Sequence, residues 1–155
     1  LSVVQLGNTG DASVIADAVK TLLDADSNLS LRKTWLGDPV RVPITPSAAV
    51  VTGPTIIGGG SPTGAGMSLN YYTNFEFTIY VMVFYAKITS DNEVLEQDSN
   101  RYAEQVRNTL HSNKTLNGLA WQSWVRQIEP GVARRAGAKL RAHRLTAVYS
   151  SKTFI

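Results

Sequence analysis

The side chains that could do chemistry are few. Two histidines, His111 and His143, sit on separate stretches of the chain, and neither has a carboxylate at helical ligand spacing. A metal site needs three or four convergent ligands, so neither histidine reads as part of one. In KLRAHR, His143 reads as a solvated member of a basic face. There is no cysteine, which excludes disulfides, thiolate zinc sites and cysteine nucleophiles. No G-x-S-x-G elbow, H-E-x-x-H pair or aimed acid pair is present. Asp24 and Asp26 read as the end of a helix and a turn. The expectation is a protein without catalytic residues, cofactor or metal.

The glycine-rich stretch from Thr52 to Met67, TGPTIIGGGSPTGAGM, could be a phosphate loop. Such a loop needs a lysine and a hydroxyl residue opening a helix, so that backbone N–H groups and the helix end hold the anion. GGGSPTGAGM has neither lysine nor arginine, and strand-like residues follow it. The dinucleotide fingerprint fails for the same reason, because no helix opens behind the glycines.

Charge is the remaining feature. Net charge is +3, but residues 1–125 hold 8 basic and 11 acidic side chains, whereas 126–155 hold 7 basic and 1 acidic. The set Arg134, Arg135, Lys139, Arg141, Arg144 and Lys152 reads either as a solvated hairpin or as a patch facing an acidic partner. Residues 130–145 contain no aromatic side chain for stacking on bases, so a nucleic-acid site there would contact only the backbone.

The elements that position these groups follow from periodicity. Asp11–Ala25 reads as an amphipathic helix capped by Asp11, with Val14, Ile15, Ala18, Val19, Leu22 and Leu23 as its stripe. Leu29–Leu36 reads as a strand stopped by Gly37, Asp38 and Pro39. Pro39, Pro43 and Pro46 make an extended connection, and Ser47–Val51 resumes strand character. Tyr71–Ile88 is the strongest signal. Phe75, Phe77, Ile79, Val81, Val83 and Tyr85 share one face, and the other turns from polar at Asn74 and Glu76 to apolar at Met82 and Phe84. Such a strand is longer than a small domain needs, so part of it should project. Glu76 reads as an exposed strand position or an interface charge. A second helix, with Asp98, Ser99 and Asn100 as a potential break, carries Val94, Leu95, Tyr102, Val106 and Leu110. Trp124–Ile128 reads as a strand turned by Pro130 and Gly131, VARRAGAK as a basic loop, and the stretch from Ala138 or Leu140 to Lys152 as the last strand. Trp35, Trp121, Trp124, Tyr71, Tyr72 and Tyr80 fit either a core or an interface.

At 155 residues this order predicts one α+β domain, a mainly antiparallel sheet with a long β-hairpin packed against two α-helices. The glycine stretch then becomes the flexible tip or arm of the hairpin, at about 52–70. No long apolar run or basic-then-apolar leader is visible, so a soluble, intracellularly made protein without membrane association is expected.

Several linked features resemble the tail terminator proteins of long-tailed bacteriophages. They are the helix ASVIADAVKTLLDAD, the hairpin arm NFEFTIYVMVFY, the helix SNRYAEQVRNTLHSN and the closing hairpin LRAHRLTAVYSSKT. The resemblance covers nearly the whole chain, in order and pattern. It implies a six-subunit ring at the head-proximal end of the tail tube, in the virion's tail or neck, that stops tube growth. Its partners would be copies of itself, the tube protein and the head-tail connector or head-closure protein, with DNA passing through the lumen. On this reading Gly58, Gly59, Gly60, Gly64, Gly66, Tyr71, Tyr72 and Glu76 meet a neighbouring subunit or the tube. Arg134, Arg135, Lys139, Arg141 and Arg144 face a partner. A collar, connector, completion or head-closure protein, or a nucleic-acid module using the basic hairpin, is the alternative.

Overall fold

The computed structural model describes residues 12–59, 72–89 and 93–154. In chain order its elements are α1 (Ala12–Ala25), a 3-10 turn (Ser27–Leu29), β1 (Lys33–Leu36), β2 (Ser47–Gly59), β3 (Tyr72–Lys87), α2 (Glu93–His111), β4 (Gln122–Arg135) and β5 (Ala138–Phe154). The strands form one five-stranded sheet in the order β1-β2-β3-β5-β4. Among the described residues only β1 and β2 pair in parallel; the other three ladders are antiparallel. The α+β architecture expected from the sequence is therefore the one observed.

Both helices lie on one face of the sheet. From α1, Ile15, Ala16, Val19 and Leu23 are buried; from α2, Tyr102, Ala103, Val106 and Leu110. They meet Ala48 and Val50 of β2, Phe77, Ile79, Val81 and Val83 of β3, and Leu145, Ala147 and Tyr149 of β5 in a single core. Each large side chain buried there contributes roughly 1.5–3 kcal/mol of transfer free energy. The α1 stripe is narrower than the sequence suggests, since Val14 is exposed. No break occurs at Asp98–Asn100: α2 is continuous, and Ser99 is buried with its hydroxyl donating to the Glu96 carbonyl at 3.0 Å.

A smaller cluster covers part of the opposite face. Val42, from the proline-rich connection, packs with Ala49, Phe84, Leu140 and Ala142, and Trp35 meets Phe84 edge-on at 6.4 Å. The apolar end of β3, around Met82 and Phe84, thus lies between two covering layers, whereas Phe75 nearer its start packs on the helix-side core.

Two local readings change. Leu29–Leu36 is a strand only over Lys33–Leu36; Ser27–Leu29 makes a 3-10 turn because Asp26 accepts from the Asn28 N–H at 3.0 Å and Ser30 takes a left-handed conformation. VARRAGAK is not a loop. β4 continues through Pro130 and Gly131 to Arg135, and the turn is only Ala136–Gly137, both at positive φ (52° and 84°). Paired positive φ values match the twist of a two-residue hairpin. Pro130 is tolerated because β4 is an edge strand, where a missing N–H need not break a ladder.

Candidate assembly surfaces

The long hairpin ends as a three-stranded ribbon. β2 pairs with β3 out to Gly59↔Thr73, and β3 pairs with β5 out to Tyr72↔Phe154. The flanking strands stop earlier. β1 reaches only Val50 of β2, and β4 begins opposite Ser150 of β5. Where the covering layers run out, Ile56 is 58% and Ile57 67% exposed. Consecutive strand residues point to opposite faces, so the ribbon shows an isoleucine on each. Phe75 and Phe77 stack beside Ile57 on the helix side, with centroids 5.7 Å apart.

Within this ribbon Gly58 and Gly59 are strand residues opposite Asn74 and Thr73, so 52–59 forms part of the hairpin arm rather than its tip. Tyr72 is a strand residue opposite Phe154. Glu76 is half-buried between Ile56 and Ser150. Gly60, Gly64, Gly66 and Tyr71, and the expected tip, lie outside the described residues.

Gly53 has a packing role that the sequence did not reveal. A Cβ there would lie 2.6 Å from Tyr80 Cε2 and 3.2 Å from Thr78 Cγ2, so the tyrosine ring occupies the space above it. The guanidinium of Arg144 lies 4.9 Å from the centre of the same ring. A register shift between Thr52 and Thr55 marks the bend, with Pro54 inside it.

The basic residues of the β4–β5 hairpin do not form one patch, because alternation along the strands divides them between faces. Arg141 reaches the helix layer, where Nη2 meets Glu96 at 2.7 Å and Nε donates to Ser99. On the opposite face, Arg135 binds Asp38 at 2.9 Å and lies 5.4 Å from the Phe84 ring centre, and Arg144 binds Glu129 at 2.7 Å. The sequence count of +6 over 126–155 therefore overstates the free charge. Arg134 and Lys139, directly opposite each other beside the turn and both exposed, make no ion pair among the described residues.

The histidines are structural. Contrary to the solvated reading, His143 is only 3% exposed, and its Nε2 is 2.8 Å from Asn100 Oδ1 while Nδ1 is buried without a hydrogen-bond partner among the described residues. Burial, followed by the charge of Arg141, lowers its pKa against the opposing pull of Glu96. Neutral His143 donates from Nε2 and leaves Nδ1 bare. His111 Nε2 accepts from the Val125 N–H at 3.1 Å, at a shift in the β4–β5 register. Burial and then Lys114 and Arg107 lower its pKa too. Hydrogen bonds and packing account for both rings, and no group of three or more His, Asp or Glu residues gathers as a metal site among the described residues.

The clefts carry little chemistry. One of about 480 Å³ lies between α1 and residues 113–119, with Ala18, Leu22, Leu116 and Leu119 among its walls and no titratable group. Another, about 210 Å³, is floored by Met82 and Ala142 and edged by the Arg144–Glu129 pair. Among the described residues no helix is long and apolar enough to cross a membrane.

No family model matches the chain, and neither does any curated protein. Among solved structures, a chain of the "Virion of native gene transfer agent (GTA) particle" is similar with a TM-score of 0.47 and 16% sequence identity, over 90% of this chain and 94% of that one.

Proposed function

We propose that this chain is a structural protein of a phage-like virion. It forms a ring, of six subunits by its resemblance to tail terminators, at the head-proximal end of a tail tube, where it ends tube growth and joins the tail to the head connector. The observation that carries this reading is the ribbon. A long hairpin runs past its covering layers with Ile56 and Ile57 exposed on its two faces. An isolated domain gains nothing from such an arm, whereas a subunit that must meet two neighbours and a tube does. A ring needs two different patches per subunit. The ribbon supplies one, and the exposed Arg134–Lys139 tip is available to an acidic partner. The reading assigns no catalytic role to any residue and places the protein in the virion after assembly in the host cytoplasm.

The pairing of Arg135, Arg141 and Arg144 with acids of their own chain weighs against a nucleic-acid module built on this hairpin. Sedimentation with polymerised tubes tests the proposal. A terminator co-sediments at a fixed small amount per tube that does not grow with tube length. Binding in proportion to length, or none at all, contradicts it.

A further inference from the structure

The two halves of α2 are held to the sheet in different ways. From Tyr102 onward the contact is apolar: Tyr102, Ala103, Val106 and Leu110 lie in the main core, and the Tyr102 hydroxyl donates to the Leu29 carbonyl. The half before Tyr102 buries only Ser99, and its Val94 is 60% exposed. This half meets β5 through a polar seam. Arg141 donates from Nη2 to Glu96 Oε1 at 2.7 Å and from Nε to Ser99 Oγ at 3.3 Å, and His143 Nε2 meets Asn100 Oδ1 at 2.8 Å.

His143 is the member of this seam whose charge changes near neutrality. It is 3% exposed, and its Nδ1 has no hydrogen-bond partner among the described residues. β3 places Val83 opposite it and β4 places Pro130, and neither carries charge. The Tyr85 ring, on the helix side of β3, lies against Tyr102. Further along α2, Glu104 is paired with Arg107, and Arg134 and Lys139 near the turn add only positive charge. The charges that bear on the ring are therefore Arg141 on its own strand and Glu96 on α2, which already bind each other. A proton on Nδ1 would make a second buried N–H without an acceptor, on a cation beside a guanidinium. Burying such a charge without a partner is costly.

We propose that the first half of α2 is a pH-dependent latch: protonation of His143 opens the polar seam, so that Glu93–Arg101 leaves β5 while the half from Tyr102 to Leu110 stays docked. Opening gives the imidazolium water and breaks three polar contacts, but it uncovers little apolar surface. Segments with few buried apolar contacts are the ones that open locally, at lower free energy than global unfolding. Burial first, and then Arg141, holds the pKa of His143 below the ordinary 6.5 in the closed form, and in the opened seam it returns toward that value. The closed seam is therefore fully favoured above about pH 6.5 and loses ground as pH falls through the closed-form value. One such group raises the opening equilibrium by at most about tenfold between about pH 7.5 and 5.5. The inference goes beyond the ring reading and does not depend on it.

Amide exchange followed by NMR, corrected for the intrinsic effect of pH and repeated in low urea, tests the latch on wild type, His143→Gln and His111→Gln. Glutamine keeps a donor for Asn100 but does not titrate. The amides of Gln97–Arg101 should exchange through an opening that urea does not promote and that rises by up to about tenfold on going to about pH 5.5. That rise should vanish in His143→Gln and persist in His111→Gln. The amides of Val106–Leu110 should exchange only with global unfolding, which urea promotes. Seam amides that follow global unfolding, an opening that does not rise in acid, or a rise that survives His143→Gln overturns the latch. Should His143→Gln not fold, the ring titration of His143 in wild type decides. An opening that tracks this titration supports the latch, and one that rises at a different pH overturns it.

Discussion

Gly53→Ala probes the root of the ribbon. Gly53 does not have a positive φ, so what it provides is space and not a special backbone. An added Cβ would stand 2.6 Å from Tyr80 Cε2 and 3.1 Å from Cζ, against an ordinary contact of about 3.5–4.0 Å, so the ring must shift by about 1 Å. Tyr80 is only half-buried and can move, but moving it disturbs the stack with Arg144, itself tied to Glu129. Overpacking of this kind costs about 1–3 kcal/mol, and the smaller conformational freedom of unfolded alanine returns about 0.4–1 kcal/mol. The net expectation is a loss of about 1–2 kcal/mol, which for a domain of this size lowers Tm by about 2–8 °C. Denaturant unfolding of wild type, Gly53→Ala, Tyr80→Ala and the double variant measures it. With the tyrosine ring gone, Gly53→Ala should be neutral or slightly stabilising, giving a coupling of at least about 1 kcal/mol. An equal cost in both backgrounds, or none in either, refutes the steric argument.

Tyr102→Phe should cost about 1–3 kcal/mol in the same assay, because the hydroxyl donates to the Leu29 carbonyl at 2.7 Å in a buried site and its loss leaves that carbonyl unsatisfied. Stability should also fall on mild acidification. The folded-state pKa values of His111 and His143 lie below the ordinary 6.5, so the unfolded chain takes up protons first. Their contribution is complete above about pH 6.5 and is lost as pH falls through the folded values. Unfolding at about pH 7.5 and pH 5 should differ, and a His111→Gln/His143→Gln variant should lose most of that difference. At Asp24, burial pushes the carboxyl up but hydrogen bonds from Thr34 and Lys20 and the charges of Lys20 and Lys33 outweigh it. Its pKa falls below 3.8, so its loss belongs to a more acid window.

Elements with a long, regular pattern were legible in the sequence. The alternation from Phe75 to Tyr85 sorted the faces of β3 correctly, and the helical stripe of Tyr102, Val106 and Leu110 found the buried side of α2. What escaped were features set by distant partners. Asp38, Glu96 and Glu129 lie 97, 45 and 15 residues from the arginines they bind, so a run of basic residues read along the chain looked like a patch that alternation and pairing dissolve. His143 escaped for the same reason: in KLRAHR it has the neighbours of a surface residue, and its partner Asn100 lies 43 residues away on α2. Pro130 looked like a turn because nothing local shows that β4 is an edge strand. Gly53 was one glycine among many until Tyr80 gave it a reason.

The central claim is that this chain ends a tube. The most direct measurement is the length distribution of tubes polymerised from the cognate tube protein, viewed by electron microscopy with and without the chain. The account predicts shorter tubes with a ring at one end only, and lengths that fall as the ratio of chain to tube protein rises. Unchanged lengths and bare ends at every ratio would contradict it.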